Sequence, residues 1–420
     1  MQDLLFRCRH WRSNSDRSRH VRHAPANSRE SQLLSKPMTS PDNSSHTARI
    51  SSLDGLRGIA AIVVVIGHTI GALRSPPGIA GPSVILFFVL SGYCLTASAL
   101  RGDRLSDRAQ FYVRRIFRIH PPFVVALLIA WTASHIAWSG PCCAGLSPWI
   151  LNFTHLSMPA GELVQHMFFP GTAQDFMPVG WTLEVEMVFS ILLPLFVLLA
   201  REGHWSLALG LSLWALFQRE PAYTGQVYAI HFVVGILVYE ASGRIAVVMK
   251  RAPRVAPLVL ALVAAYATLV GMNFIPVQWN IFFWPGISTL LSTPLFALAI
   301  SSAAFTIAAV HLTSVRSFLE WRPIAFLGRV SYSLYLLHFT VLLLAVRMVA
   351  RPLTDFEMIF FILVVVATST IAAAAMYRFV ELPSIEAGNR VCSWIARYSQ
   401  SEERLSRIQS QDTASGNRDA

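Results

Sequence analysis

Long apolar runs alternate with short polar stretches along most of this 420-residue chain. The hydrocarbon core of a bilayer is about 30 Å thick, so a helix that crosses it needs roughly 20 mostly apolar residues. Ten runs approach that length, although the fifth is short, and they lie at residues 58–73, 82–100, 119–138, 181–200, 205–217, 222–241, 255–272, 287–309, 324–346 and 358–377. This pattern predicts an all-α fold, a polytopic integral membrane helical bundle with about ten transmembrane helices.

The two ends of the chain are polar. Residues 1–49 are rich in arginine and contain no apolar run long enough for the core of a signal peptide, so we expect a disordered basic arm in the cytoplasm. Residues 50–390 are the predicted transmembrane domain, and residues 391–420 are a predicted cytoplasmic tail. Within the membrane domain, residues 142–178 fit no single assignment, since the apolar WILNF and HMFF pieces in this region are compatible with a re-entrant or interfacial segment.

Composition supports a membrane protein. Hydrophobic residues make up 54% of the chain and charged residues only 14%, whereas soluble proteins carry about 25% charged residues. This composition excludes an ordinary cytosolic enzyme. The five cysteines show no metal-ligand spacing, so we expect no metal.

The net charge of +11 indicates a basic surface. In so hydrophobic a chain, a basic cytoplasmic face is a better explanation than nucleic-acid binding, because positive residues favour the cytoplasmic side of a membrane protein. With the amino terminus inside, only four of the 34 Lys and Arg residues fall outside, at positions 74, 219, 347 and 351. Both termini and loop 101–118 are therefore predicted to be cytoplasmic, and residues 139–180 to be the main external segment.

The first predicted helix carries two titratable residues in the sequence LDGLRGIAAIVVVIGHTIG, Arg57 just before its apolar run and His68 within it. Eleven residues at 100° each make three turns plus about 20°, so both side chains share one helical face. His68 lies roughly 16 Å deeper than Arg57, near mid-membrane. Titratable groups in a membrane usually indicate function, although a histidine bonded to a neighbouring hydroxyl and a snorkelling arginine are a plainer explanation.

The ninth run repeats this arrangement. In GRVSYSLYLLHF, Arg329 precedes a second intramembrane histidine, His338, by nine residues. Two histidines would then reach similar depths from the same side. A neutral imidazole can accept a proton, as a general base must, whereas packing of an aromatic-rich helix explains His338 poorly.

Two carboxylates follow Trp181 in GWTLEVEMVF, at Glu184 and Glu186. Residues two apart on a helix point about 160° away from each other. At most one of these carboxylates therefore faces any one cavity, and the predicted topology places both in the external leaflet.

Three arginines, Arg114, Arg115 and Arg118, lie close together in FYVRRIFRIHP. Guanidinium groups bind phosphate oxygens bidentately, so this cluster fits a phosphorylated ligand. Ordinary positive-inside topology, with contacts to anionic lipid head groups, is the open alternative.

Six short segments of the chain are each weak indicators of a family, but their order along the chain is specific. LDGLRGIAA, FFVLSG, FYVRRIFRIHP, GWTLEVEMVF, YSLYLLHF and FVELP lie within residues 51–390. In sequence and in order they resemble the membrane-bound acyltransferase family 3, which includes bacterial polysaccharide O-acetyltransferases. The resemblance implies an acyl-CoA donor, most often acetyl-CoA, that enters from the cytoplasm, and an acceptor hydroxyl on a sugar.

The resemblance also implies roles for particular residues. The implied catalytic residues are His68, Glu186 and His338, and the implied CoA-binding residues are Arg57, Arg114, Arg115 and Arg118. An oxyanion stabiliser is not identified, and Ser91, Tyr332 or backbone amides are candidates. Direct transfer and an acyl-histidine intermediate both stay open.

The expected protein is therefore a multi-pass O-acyltransferase of the bacterial cytoplasmic membrane that contacts the lipid bilayer and a carbohydrate or lipid-linked glycan. No soluble external domain fits within the chain, so we expect the acceptor to come to the membrane domain. A proton-coupled transporter would also bury histidines and glutamates, although it predicts two matching halves that the sequence does not show. A membrane scaffold is the third possibility.

Overall fold

The computed structural model describes residues 50–74, 78–99, 105–137, 145–153, 159–168, 177–216, 224–253, 255–272 and 294–416. Every regular element within these residues is helical. The helices are Ser51–Leu73 (α1), Ala80–Ala99 (α2), Leu105–Ala137 (α3), Pro148–Leu151 (α4), Ala160–Phe168 (α5), Gly180–Arg201 (α6), Trp205–Leu216 (α7), Ala229–Glu240 (α8), Ser242–Arg251 (α9), Ala256–Gly271 (α10), Pro294–His311 (α11), Thr313–Leu319 (α12), Arg322–Val346 (α13), Asp355–Met376 (α14) and Leu382–Gly416 (α15). A 3₁₀ turn, Thr224–Tyr228, precedes α8, and a π-helical turn, Tyr377–Glu381, joins α14 to α15.

Seven helices of the described residues are long and apolar enough to cross a membrane: α1, α2, α3, α6, α11, α13, and α14 with its continuation into α15. The 3₁₀ turn with α8 meets α9 at a bend of 63°, and this pair counts as an eighth span if it is taken as one. The all-α membrane bundle is confirmed. The number of about ten spans stays a prediction, because α7 and α10, with 12 and 16 residues, are shorter than a typical span.

The helices α1 and α13 pack side by side in parallel. A Cβ atom on Gly58 would lie 2.5 Å from the backbone nitrogen of Gly328, so this close approach requires glycine. His68 and His338 each lie ten residues further along their own helix, and their rings also meet. Two contacts with equal spacing show that both helices run in the same direction. We call the side where they begin the proximal side and the side where they end the distal side.

The helix α3 contains two consecutive prolines, of which the first is Pro121. Proline has no backbone N–H, so Pro121 leaves the carbonyl of Phe117 without its helical donor. The hydroxyl of Ser384 donates to that carbonyl instead, and the hydroxyl of Tyr332 donates to the carbonyl of Ile119 at 2.7 Å. The proline step of α3 is thereby tied to both α15 and α13.

The helix α15 packs antiparallel along the first half of α3. A Cβ atom on Gly388 would lie 2.8 Å from the Cβ of Phe117, and the thiol of Cys392 donates to the carbonyl of Gln110 at 3.5 Å. The early turns of α3, which carry the predicted arginine cluster, are therefore held by a second helix.

The predicted domain bounds stay predictions. The arm at residues 1–49 lies outside the described residues. The predicted boundary between residues 390 and 391 falls inside α15, which continues to Gly416.

Candidate active site

A cavity lies between α1, α2, α3, α6 and α13, and the residues of α1 and α13 that line it lie on the proximal side of His68 and His338. It encloses about 680 Å³, its open mouth included. Aromatic and aliphatic side chains form much of its wall. Its polar lining residues are Arg57, Ser91, Arg115, Arg118, Thr182, Glu186, Ser331, Tyr332 and Tyr335.

One carboxylate of α6 lies in this cavity. Glu186 forms an ion pair with Arg115 and accepts a hydrogen bond from the hydroxyl of Ser91 at 3.0 Å. Arg115 also donates from Nε to the hydroxyl of Ser190 at 2.7 Å. Glu184 is not one of the described residues that line the cavity, as the helical rotation between the two carboxylates requires.

The predicted topology separated Glu186 from Arg115 by most of the membrane, and this separation is wrong. Arg115 lies ten residues into α3, which begins at Leu105 rather than after the arginines. Ten residues of helix place Arg115 roughly 15 Å along α3 from Leu105, where its side chain meets Glu186.

The cavity gathers three of the four predicted CoA-binding arginines, which are Arg57, Arg115 and Arg118. Arg114 is not among the described lining residues, and its Nη1 lies 3.4 Å from the side-chain oxygen of Gln110. The cavity wall thus carries three guanidinium groups, a chemistry that suits an anionic ligand. The ligand-binding roles themselves stay predictions.

The two predicted histidines meet beyond the distal end of the cavity. His68 Nδ1 lies 2.9 Å from His338 Nε2. The ring centroids are 5.1 Å apart and the ring planes differ by 16°, so the two nitrogens point at each other nearly in plane. His338 is fully buried, and its Nδ1 lies 2.8 Å from the backbone carbonyl oxygen of Tyr335.

These contacts define the tautomers of the neutral pair. A carbonyl oxygen only accepts, so the proton of His338 lies on Nδ1, where it is donated to Tyr335. Nε2 of His338 is then an acceptor, and His68 must donate to it from Nδ1. The lone pair of His68 is therefore on Nε2, which is the protonation state that a general base requires.

Tyr335 lies between the cavity and the histidine pair. Its side chain lines the cavity, and its ring centroid is 5.8 Å from that of His338. The hydroxyls of Tyr335 and Thr182 lie 2.8 Å apart and are both buried. Neither histidine is one of the described residues that line the cavity, so Tyr335 marks its distal end.

A short segment, residues 145–153, covers the distal end of α1, and we call it the α4 segment. The backbone N–H of Ser147 donates to the carbonyl of Ala72 at 2.9 Å. This contact brings the indole of Trp149 to the side of His68, with ring centroids 5.6 Å apart. The WILNF segment is thus a short helix and turn packed against a predicted catalytic residue.

Sequence reasoning singled out neither Trp149 nor Tyr335 as a site residue. The signal at Trp149 was weak, since an isolated tryptophan near a membrane surface is usually an interfacial anchor. Ser147 followed by Pro148 is a helix start, and this pattern indicates the short helix but not its neighbour.

Ser91 and Tyr332, the two side chains named as candidate oxyanion stabilisers, donate their hydrogen bonds to other groups. The hydroxyl of Ser91 donates to Glu186, and that of Tyr332 donates to the backbone of α3. Neither hydrogen bond is directed toward the histidine pair.

Comparison with known proteins identifies the family. Residues 50–378 match the family model described as an acyltransferase domain, which is more than half of the chain. The chain belongs to the membrane-bound acyltransferase family 3. As a member of this family, it is an integral multi-pass membrane protein, in agreement with its apolar helices.

Two relatives show how far the similarity extends. The chain is 28% identical over 194 residues to nodulation protein 10 of Rhizobium leguminosarum bv. viciae. The aligned residues cover 42% of this chain and 52% of that protein. It is 22% identical over 381 residues to the O-acetyltransferase OatA of Staphylococcus aureus (strain NCTC 8325 / PS 47), covering 83% of this chain and 59% of OatA. The chain thus spans between half and three fifths of the length of these relatives. No solved structure matches it.

Proposed function

We propose that this protein is an O-acyltransferase of the bacterial cytoplasmic membrane. It moves an acyl group, acetyl in the simplest case, from cytoplasmic acyl-CoA to a hydroxyl of a cell-envelope or exported carbohydrate. The observation that carries the proposal is the contact between His68 Nδ1 and His338 Nε2 just beyond an arginine-lined cavity, from which we infer that Nε2 of His68 is unprotonated. Family membership and the O-acetyltransferase name of one relative support it.

The cavity is the proposed donor site. Its arginines lie toward the proximal side, which is cytoplasmic in the predicted topology. Guanidinium groups bind the phosphates of CoA, while the aromatic walls accept the less polar pantetheine arm. In this arrangement the thioester points toward Tyr335 and the histidine pair.

The proposed chemistry is direct transfer. Nε2 of His68 takes the proton of the acceptor hydroxyl while the oxygen attacks the thioester carbonyl. The C–S bond then breaks, and the CoA sulfur takes the proton from His68, so the products are an ester and free CoA thiol. During the step the positive His68 ring keeps its Nδ1–H bond to the neutral ring of His338.

Membership of an acyltransferase family favours this function over a proton-coupled transporter, which would use the same buried groups. The two functions differ in their products. A transporter accumulates solute in vesicles and forms no ester, whereas the proposed enzyme releases CoA thiol and forms ester.

The test uses purified protein in lipid vesicles with acetyl-CoA and a glycan probe. The probe is the envelope glycan fraction isolated from a strain that lacks the protein. We expect release of CoA thiol and formation of acetyl ester on the glycan, detected by mass spectrometry. His68→Ala should lower the rate by about 10²- to 10⁴-fold, the range that general base catalysis supplies.

The matched control is His204→Ala, which replaces an exposed histidine between α6 and α7. This variant should keep the wild-type rate. Undiminished transfer by a folded His68→Ala protein would show that the proposed chemistry is wrong.

A further inference from the structure

We propose that Trp149 forms a stacking surface for the sugar ring of the acceptor, on the distal side of His68. This inference rests on the proposed function and assigns the acceptor subsite within it. It depends on how the α4 segment is held, on what surrounds Trp149, and on where the donor cavity ends.

The α4 segment is fixed to the bundle by several contacts besides those of Trp149. The hydroxyl of Ser147 donates to the carbonyl of Gly71 at 2.6 Å, and the N–H of Ser147 donates to the carbonyl of Ala72. Leu146 and Ile150 are buried in the core beside α13, and the indole packs against this core. The segment therefore has anchors other than the indole.

Trp149 is only half-buried, although it lies beside a predicted catalytic residue. Its ring plane makes an angle of 38° with that of His68. Phe339 and Phe153 meet the indole edge to face, at 83° and 69°. These rings fix the orientation of the indole while part of its surface stays open.

A carbohydrate is the ligand class that fits this surface. A pyranose ring has apolar C–H faces and hydroxyl groups around its edge, so it stacks on a flat aromatic face and projects hydroxyls sideways. Stacked on Trp149, such a ring directs a hydroxyl toward His68. The indole N–H adds a hydrogen-bond donor for a sugar oxygen.

The donor cavity does not compete for this surface. Trp149 is not one of the described residues that line the cavity, and Tyr335 lies at the end of the cavity nearest the histidine pair. Donor and acceptor can thus approach His68 from opposite sides, so that neither must leave before the other binds.

The test measures steady-state kinetics in vesicles with acetyl-CoA and the glycan probe. Trp149→Ala should raise the apparent KM for the glycan probe by about tenfold, a loss expected for one aromatic contact. The KM for acetyl-CoA should stay unchanged. Trp149→Phe should recover most of the affinity, because it restores a flat ring.

The matched control is Trp394→Ala, which removes an exposed indole of α15 that stacks on Tyr398 rather than on the histidine pair. It should change neither KM by more than about twofold. A folded Trp149→Ala protein overturns the inference if its glycan KM is unchanged, if the KM for acetyl-CoA rises instead, or if only kcat falls. Absence of transfer by the wild-type protein overturns the proposed function and this inference with it, whereas selective loss of glycan affinity supports both.

Discussion

Replacing His338 tests whether this residue fixes the tautomer of His68. His338→Ala removes the acceptor that lies 2.9 Å from His68 Nδ1 and leaves that N–H without its partner. An unpaired buried donor costs about 1–3 kcal/mol. The variant loses this free energy, which in the wild-type protein favours the His68 tautomer with its proton on Nδ1 and an unprotonated Nε2. The ratio of this tautomer to the other therefore falls by roughly 5- to 150-fold.

The expected result is a fall in kcat rather than a loss of binding. A molecule in the wrong tautomer carries its proton on Nε2 and cannot accept one from the acceptor. We therefore expect kcat of His338→Ala to fall by no more than this factor of about 5 to 150, while the KM for acetyl-CoA changes little. The loss should be smaller than that of His68→Ala, and the double variant should be no slower than His68→Ala alone.

His338→Gln is the matched variant, because a glutamine side chain places an amide oxygen near the position of Nε2. That oxygen accepts from His68 Nδ1, so kcat should recover to within about tenfold of the wild-type value. Thermal unfolding and elution volume establish that each variant is folded, since His338 is fully buried. A wild-type kcat in His338→Ala, or a folded His338→Gln as slow as His338→Ala, would refute this reasoning.

Two further predictions concern the cavity. Arg118→Ala should raise the KM for acetyl-CoA by roughly tenfold or more, and Arg114→Ala should raise it by less, because Arg118 is a described lining residue of the cavity and Arg114 is not. An equal rise of this KM in both variants would contradict the assignment. Glu186→Gln leaves the mostly buried Arg115 without its carboxylate and should lower the free energy of unfolding by about 3–5 kcal/mol. Thermal unfolding in detergent measures this loss, and an unchanged midpoint would show that the pair contributes little.

Much of the fold could be predicted because membrane insertion depends on the length and composition of local segments. The apolar runs around Val64, Leu90 and Leu334 were recognised from hydrophobicity alone. Each run is part of a helix in the structure, and these three residues are buried. The prediction that Arg57 and His68 share one face of α1 also needed only local helix geometry. In the structure, Arg57 lines the cavity beside α13, and His68 contacts α13. Short apolar runs were less informative, because an apolar helix of 12 or 16 residues is compatible with several placements.

The candidate site was only partly predictable. The sequence indicated that His68 and His338 reach similar depths, but it could not show that their rings are hydrogen-bonded. It separated Glu186 from Arg115, because an assumed boundary of α3 replaced the true start of the helix at Leu105. The predicted run began at residue 119 and the helix begins at Leu105, and these 14 residues (119 − 105) correspond to about 21 Å along the helix axis, which decides the partners of a side chain.

By itself, the sequence determined the membrane class, the helical class, the residues on each helical face and the resemblance to a family. These properties follow from hydrophobicity and helical rotation, which act within one segment. Only the tertiary structure decided that His338 holds the Nδ1 proton of His68, that Glu186 pairs with Arg115, and that Trp149 lies beside the histidine pair. Each of these contacts joins residues that are distant in the chain. They depend on the close approach of α1 to α13, on the packing of α3 against α6 and on the path of the α4 segment.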